Sequence, residues 1–129
     1  MLFRSADVEF VRQFGEGVPL IRIDPDQIRR VFINIVDNAI EAMDRQGRIV
    51  IDTQFDEANH LVRVVVADNG PGIPVAEREK LFLPYYSTKR RGSGLGLAIV
   101  RRIVAEHGGT IEAGDNAPAG TRFTIELPC

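Results

Sequence analysis

Residues 24–47 carry the most regular hydrophobic pattern in the chain. Their apolar positions recur at intervals of three and four, which places them on one face of a helix. These positions are Ile28, Val31, Phe32, Ile35, Val36, Ala39, Ile40 and Met43. Asp24 and Pro25 are typical of a helix start, because aspartate caps the first N–H groups and proline fits the first turn. We therefore predict a helix that begins here, buries one face and ends at Gly47.

The other segments alternate between strand and helix patterns. Predicted strands cover residues 8–14, 18–23, 47–55, 61–68, 110–115 and 121–128, with Gly-Glu-Gly joining the first two. Two further helices are predicted over residues 76–81 and 95–107, the second stopped by Gly108 and Gly109. Each helix has one apolar face to bury, so we expect an α+β fold, a two-layer sandwich with helices packed on one face of a mixed β-sheet.

Length and composition limit the class of protein. A chain of 129 residues with 44% hydrophobic content is long enough for a single domain over residues 1–129 with its own core. Its net charge of −2 gives no general attraction to nucleic acid or to an anionic membrane. Cys129 alone forms no disulfide framework and no cysteine metal site. The sequence has no apolar run of membrane-spanning length and no signal-peptide core, so we expect a cytoplasmic domain. The cytoplasmic domain of a membrane-bound protein would show the same features.

A polar stripe borders the apolar face of the first helix. Asn34, Asn38 and Glu41 follow one another at i, i+4 and i+7, so they share one side of the helix. Asparagine is a poor helix former, and two on one stripe need a reason. A metal or phosphate site is one reason, because an amide oxygen is a suitable ligand for Mg²⁺. Solvated polar residues on a surface helix explain the stripe equally well.

A second polar motif, ADNGPGIP, follows the predicted strand over residues 61–68. An aspartate that leaves a buried strand must find hydrogen-bond donors, which makes Asp68 a candidate binding residue. Gly70 and Gly72 would let the backbone approach a planar ligand closely. A plain turn accounts for Asn-Gly and Pro-Gly just as well.

A third motif places Gly92, Gly94 and Gly96 directly before a predicted helix. Free N–H groups and the helix dipole favour an anion at such a position. The spacing matches neither the dinucleotide-binding loop nor the Walker A loop, so neither of those folds is supported. A flexible glycine linker is the alternative.

The order of these motifs carries a resemblance that extends over residues 8–128. FINIVDNAIEAM, VADNGPGIP, LFLPYYSTK and RGSGLGLAIV resemble the N, G1, F and G2 boxes of the ATP-binding catalytic domain of sensor histidine kinases. The closing GTRFTIELP resembles the terminal glycine-threonine strand of that domain. The resemblance implies the Bergerat ATP-binding fold. NAIEAM together with the stretch from LPYYSTK to HGG is most similar to the nitrogen-regulation kinases of the NtrY type.

The resemblance also implies ATP and Mg²⁺ as cofactors and gives residues their roles. Asn38 would ligate the Mg²⁺ that bridges the phosphates, with Asn34 in support, and Lys89 would contact phosphate; these three form the catalytic set. Asp68 would accept a hydrogen bond from the adenine amino group, where guanine presents a carbonyl. The implied nucleotide contacts are Asn34, Asn38, Asp68, Gly70, Gly72, Ile73, Tyr86, Ser87, Thr88, Lys89, Arg91, Gly92, Gly94, Leu95, Gly96, Leu97 and Thr121.

The motifs that are missing indicate a kinase rather than an ATPase. Related ATP-hydrolysing families place a glutamate at the position of Asn34, and an amide cannot accept a proton from water, so we expect weak hydrolysis. His60 in a polar turn and His107 at a helix C-terminus, where its charge would suit the dipole, are both expected to be structural. The family's dimerising hairpin with its acceptor histidine is not in this sequence, so the chain is expected to be an excised catalytic domain.

Expected partners follow from the same resemblance. They are the dimerisation and histidine phosphotransfer domain of the same kinase and, indirectly, a response regulator, with no nucleic acid and no direct membrane contact. The isolated domain is expected to be a monomer. A stand-alone serine kinase of the anti-sigma type and a non-enzymatic nucleotide-responsive module both remain alternatives.

Overall fold

The computed structural model describes residues 7–44, 46–84 and 96–129. The elements are β1 (Asp7–Phe14), α1 (Pro25–Ala42), β2 (Gln46–Asp56), β3 (Leu61–Asp68), α2 (Val75–Arg78), a 3₁₀ turn (Glu79–Phe82), α3 (Gly96–Glu106), β4 (Thr110–Asp115) and β5 (Thr121–Pro128). The strands form one sheet in the order β1-β2-β3-β5-β4. The pair β1 and β2 is parallel and every other pair is antiparallel, which confirms a mixed sheet.

The helices cover one face of this sheet. α1 contacts β2 and β3, α3 contacts β4, and the two helices pack against each other. Among the described residues, nine side chains in the core between the layers are less than 2% exposed. They are Val31, Ile35, Ile49, Val66, Val100, Ile103, Val104, Phe123 and Ile125. The predicted two-layer α+β architecture is therefore confirmed, and so is the apolar face predicted for the first helix.

The strand predicted over residues 18–23 is wrong. Those residues have no strand pairing, and they carry the chain from β1 to the start of α1. Because β1 and β2 are parallel, the chain must leave the sheet after β1 and cross through the helix layer before it returns. Val18 and Ile21 are partly buried and pack against the core, whereas Leu20 between them is fully exposed. Pro19 also lacks the N–H that a ladder needs.

The first helix begins where the sequence predicts. Asp24 is its N-cap, and the carboxylate oxygen Oδ1 accepts hydrogen bonds from the N–H groups of Asp26 at 3.1 Å and Gln27 at 3.3 Å. Two of the N–H groups that a helix start leaves without helical partners are thereby satisfied.

The predicted end at Gly47 is wrong. α1 ends at Ala42, and Asp44 adopts a left-handed conformation with φ 55°. Aspartate tolerates this conformation better than most residues, so it can end a helix without glycine. Gly47 instead lies in β2, where a Cβ atom would stand 2.6 Å from both Asn69 Oδ1 and Met43 Sδ.

The last described helix ends as predicted. Gly108 has φ 75° and donates to the Ala105 carbonyl, while Gly109 donates to the Val104 carbonyl, both at 2.9 Å. These bonds satisfy carbonyl groups that the helix end would otherwise leave free.

His107 joins the end of α3 to the start of α1. Its Nε2 lies 3.0 Å from the backbone N–H of Asp24, and its Nδ1 lies 2.8 Å from the Ile103 carbonyl. Since the N–H of Asp24 can only donate, Nε2 accepts and Nδ1 carries the proton. The ring is neutral in this arrangement, which corrects the expectation that its charge favours the helix dipole, while the structural role stands.

Two isoleucines on α1 provide a test of this packing. Ile35 is 0% exposed and Ile33 is 53% exposed. Ile35→Ala leaves a cavity and should lower the free energy of unfolding by about 2–5 kcal/mol. Ile33→Ala makes the same chemical change in the same helix and should stay within about 0.5 kcal/mol of the parent chain. Urea denaturation measures both values, and equal losses would contradict the assignment of the buried face.

Candidate functional site

Asp68 is a buried carboxylate at the end of the central strand β3. It is 3% exposed, and its Oδ1 accepts hydrogen bonds from the N–H groups of Gly70 at 2.9 Å and Thr121 at 3.2 Å. Burial raises the pKa of Asp68, and the two backbone N–H groups act in the opposite direction. The charged form is therefore only partly compensated by the protein.

The second oxygen of Asp68 has capacity for a ligand. Both described hydrogen bonds of the carboxylate use Oδ1. Neither of these two bonds uses Oδ2. A carboxylate oxygen can accept a hydrogen bond from a donor group of a ligand.

The turn between β4 and β5 closes around Asp68. The side-chain amide of Asn116 donates to the Asp68 carbonyl at 2.8 Å. Gly120 has φ 118°, and a Cβ atom there would overlap the same carbonyl oxygen. Gly72 has φ 83°, and its Cβ would lie 3.2 Å from the Gly120 carbonyl oxygen. The loop after β3 and the turn before β5 therefore fit together only with glycine at these positions.

The structure brings Asp68, Gly70, Gly72 and Thr121, four of the implied nucleotide contacts, close together. Ile73, farther along the same loop, is half-buried and packs against the core. Sequence reasoning missed Asn116, because no periodicity relates it to a residue 48 positions earlier in the chain. Its location in the polar turn NAPAG was the available signal, since asparagine in turns often bonds backbone groups.

A second group of predicted residues lies where α1 meets α3. Asn34 and Asn38 are half-buried on α1, and Gly96 is the first residue of α3. A Cβ atom at Gly96 would lie 3.4 Å from Asn34 Oδ1, so the asparagine stripe runs past the start of α3. Leu97 is half-buried and packs against the core beside them. This arrangement places an amide oxygen next to N–H groups that a helix start leaves free.

Part of the predicted site lies outside the described residues. Tyr86, Ser87, Thr88, Lys89, Arg91, Gly92, Gly94 and Leu95 belong to this part, and so does Arg90. Their assigned contacts remain predictions. The described beginning of LFLPYYSTK is anchored by Phe82, which packs edge-on against Phe123 at 6.4 Å between ring centroids and lies under the guanidinium of Arg101 at 5.4 Å.

His60 lies in the turn between β2 and β3, as predicted. It has φ 53°, donates its N–H to the Glu57 carbonyl at 3.3 Å, and accepts a hydrogen bond from the Cys129 N–H at 3.0 Å. This residue therefore serves the hairpin connection and the last strand, and it lies apart from the groups around Asp68.

Two features are absent from the described ranges. Among residues 7–44, 46–84 and 96–129, no three His, Cys, Asp or Glu side chains are grouped so that they could hold a metal ion. In the same ranges, no helix combines the length and the apolar character needed to cross a membrane.

The sequence and the fold are similar to those of known proteins. The family of histidine kinase-, DNA gyrase B- and HSP90-like ATPases matches residues 23–129. The sensor histidine kinase ZraS of Escherichia coli O157:H7 is 42% identical over 114 residues, which cover 88% of this chain and 24% of ZraS. The sensory histidine kinase/phosphatase NtrB of the same organism is 37% identical over 131 residues, which cover 95% of this chain and 37% of NtrB.

Solved structures give the same result. The catalytic domain of the histidine kinase ThkA superposes with a TM-score of 0.84 at 38% identity, covering 94% of this chain and 78% of that one. ThkA in complex with the response regulator protein TrrA superposes with a TM-score of 0.79 at 36% identity, covering 94% of this chain and 34% of that one.

The chain thus spans 24% to 37% of the length of the sensor kinases ZraS and NtrB. The matched region carries the four boxes and the fold of a solved kinase catalytic domain. The chain belongs to the family of histidine kinase-, DNA gyrase B- and HSP90-like ATPases, and within it to the ATP-binding catalytic domains of sensor histidine kinases.

Proposed function

We propose that this chain binds Mg²⁺-ATP and transfers the γ-phosphate to a histidine on a separate dimerisation domain of the same kinase. The observation that carries the proposal is the buried carboxylate of Asp68, whose Oδ1 accepts from two backbone N–H groups, while neither of these bonds uses Oδ2. The adenine amino group would give this carboxylate one more hydrogen-bond donor. Guanine has a carbonyl at the corresponding position, which would leave two acceptors facing each other.

The asparagine stripe is proposed to hold Mg²⁺. Amide oxygens are hard neutral ligands, and Mg²⁺ takes its remaining ligands from water and from substrate phosphates rather than from an all-protein cage. A site of this kind needs no cluster of acidic side chains, which agrees with the described residues having none. Asn38 would be the ligand and Asn34 the supporting residue, and the ion would neutralise charge on the phosphates.

Asn34 also supports transfer over hydrolysis. Its amide lies beside the start of α3, at the position where the resemblance places a glutamate in ATP-hydrolysing relatives. An amide cannot take a proton from an attacking water, so the nucleophile has to be activated elsewhere. Slow hydrolysis would preserve ATP until an acceptor docks.

The acceptor is proposed to lie outside this chain. Both ring nitrogens of His107 make hydrogen bonds within the fold, and His60 lies in the turn between β2 and β3. Phosphoryl transfer requires the nucleophile in line with the γ-phosphate, which neither placement favours. The length of ZraS and NtrB beyond the matched region leaves room for a domain that carries the acceptor.

Further partners are proposed from relatives. ThkA forms a complex with a response regulator, and we propose a response regulator as the indirect partner here. NtrB among the relatives supports a kinase of the nitrogen-regulation group, with the NtrY type as the proposed subfamily. A cytoplasmic location and a monomeric state of the isolated domain belong to the same proposal.

The role of Asp68 can be tested with Asp68→Asn. The variant keeps an oxygen for the two backbone N–H groups but loses a charged acceptor, so ATP affinity should fall about 10- to 100-fold. Calorimetric titration measures the change. Asp52→Asn is the matched control, because Asp52 lies on β2 where the strand faces away from the helices, and its affinity should equal that of the parent chain. Unchanged ATP affinity in Asp68→Asn would remove Asp68 from the site.

The same variant gives a stability test without nucleotide. Burial raises the folded-state pKa of Asp68, so the folded chain binds this proton more tightly than the unfolded chain. The contribution of protonated Asp68 to the free energy of unfolding of the parent chain should therefore be lost as the pH rises through that raised pKa. The amide introduced by Asp68→Asn cannot ionise, so the free energy of unfolding of the variant relative to the parent should increase between about pH 4 and about pH 7. Urea denaturation across this pH range measures the difference in free energy of unfolding between the variant and the parent chain. A difference that decreases as the pH rises would contradict the proposal that burial destabilises the charged carboxylate.

Phosphotransfer itself can be tested in trans. Incubated alone with γ-labelled ATP, the chain should neither label itself nor release phosphate at an appreciable rate. Added dimerising hairpin from a related sensor kinase should become labelled on its histidine. A folded Asn38→Ala variant should fail to label the hairpin. Rapid phosphate release by the chain alone would contradict the argument from Asn34, and label on a serine of a partner would support the serine kinase alternative.

A further inference from the structure

The end of β4 contacts both ends of the loop that runs from Asp68 to Ile73. At one end, the Asn116 side chain donates to the Asp68 carbonyl at 2.8 Å. At the other end, Asp115 pairs closely with Nη2 of Arg78 on α2, and Arg78 in turn donates from Nε to the Ile73 carbonyl at 3.4 Å. Two adjacent residues, Asp115 and Asn116, thereby hold the two ends of the glycine-containing loop.

The side chain of Arg78 is largely shielded from solvent, whereas that of its partner Asp115 is exposed. The Arg78 side chain is 21% exposed and the Asp115 side chain is 76% exposed. A planar guanidinium can donate in two directions at fixed angles, which an ammonium group cannot reproduce. Arg78 therefore connects α2, the loop and β4 in a defined geometry rather than forming a simple surface ion pair.

The loop needs such a connection. Residues 70–74 contain two glycines and two prolines, and prolines have no backbone N–H to donate. The Gly70 N–H bonds to Asp68 Oδ1 at the start of the loop, whereas the carbonyl of Ile73 near its end is held by the side chain of Arg78. Ile73 is half-buried and packs against the core, so the end of this loop is tied to the core as well as to Arg78.

We propose that Arg78 is a positioning residue for base selectivity, acting through the Ile73 carbonyl. By holding that carbonyl to the end of β4, it fixes the distance between Ile73 and Asp68 and so aligns an adenine ring with the Asp68 carboxylate. The inference rests on the base-binding role proposed above for Asp68. Released from Arg78, the loop would still admit a nucleotide but would present Asp68 to it with poorer alignment, so discrimination between adenine and guanine would fall.

The test compares ATP, GTP and inorganic triphosphate binding by calorimetry in Arg78→Ala, Arg78→Lys and Asp115→Asn. ATP affinity should fall about threefold to tenfold in Arg78→Ala, GTP affinity should fall less, and triphosphate affinity should not change. Arg78→Lys should restore only part of the selectivity, because lysine lacks the two-directional fork. The ratio of ATP to GTP affinity should be the same in the double variant Arg78→Ala, Asp115→Asn as in Arg78→Ala alone, since both residues act through one connection.

Arg63→Ala is the matched control. Arg63 is an arginine of similar exposure that pairs with Asp56 and Glu126 on the strands β2 and β5. Its removal should lower the thermal midpoint without altering the ratio of ATP to GTP affinity. An equal ratio in Arg78→Ala and in the parent chain, with only the midpoint lowered, would overturn the proposal and leave Arg78 a structural residue. If Arg78→Ala does not fold, Arg78→Lys and Asp115→Asn decide by the same ratio.

Asp68→Asn measured alongside separates the two proposals. A reduced ATP to GTP ratio in Asp68→Asn with an unchanged ratio in Arg78→Ala would overturn the positioning role and leave the proposed function standing. Unchanged ratios in both variants would overturn both. A reduced ratio in both is the expected result.

Discussion

The hydrogen bonds of one buried residue, Asp68, connect the end of β3 to the start of β5 and to the turn that follows β4. Asp68 ends β3, which lies in the sheet between β2 and β5. Its side-chain oxygen Oδ1 accepts a hydrogen bond from the N–H of Thr121 at the start of β5, and its backbone carbonyl accepts one from the side chain of Asn116. A buried carboxylate is costly unless donors surround it, so both neighbouring loops are shaped to supply them. Gly120 allows the closest approach, because any side chain there would overlap Asp68. Donors of the protein therefore offset the burial of the Asp68 carboxylate only in part, and a donor group of a ligand can add a further hydrogen bond.

The helix layer follows from the parallel pairing of β1 and β2. A parallel neighbour requires a crossover, and α1 supplies it with one face on the sheet and one edge toward α3. That edge carries Asn34 next to Gly96, so a packing requirement and a polar site share a single helix. Substitutions on the buried face should therefore act on stability, whereas substitutions on the edge should act on the Mg²⁺ site proposed for Asn34 and Asn38. His107 fixes the relative position of the same two helices from their other ends.

The sequence predicted those features whose physical cause is local. The period of apolar residues and the Asp24 cap gave the start and the buried face of α1, and the glycine pair gave the end of α3. The two errors had different origins. Residues 18–23 were taken for a strand because Val18 and Ile21 are apolar, but these residues pack against the core on the way from β1 to α1, which only the tertiary path reveals. α1 stops early because Asp44 adopts a left-handed conformation without glycine. Within the site, Asp68 was indicated by its place after a buried strand, and the resemblance added Thr121. The contact of Asn116 with Asp68 and that of Arg78 with Ile73 connect elements that no local pattern relates.

The amide at position 34 is central to the proposed function. Where an ATP-hydrolysing relative would activate water with a carboxylate, the proposed site has a group that cannot take a proton, so a bound nucleotide would wait for its acceptor. Neither histidine of the chain is suited to that role, since His107 bonds through both ring nitrogens and His60 belongs to the turn between β2 and β3. The rate of transfer in the proposed kinase would then depend on how often a separate domain docks in line with the γ-phosphate, and hardly on ATP concentration once the site is filled. A sensor can control such a rate by changing the arrangement of domains, without altering any residue that touches ATP.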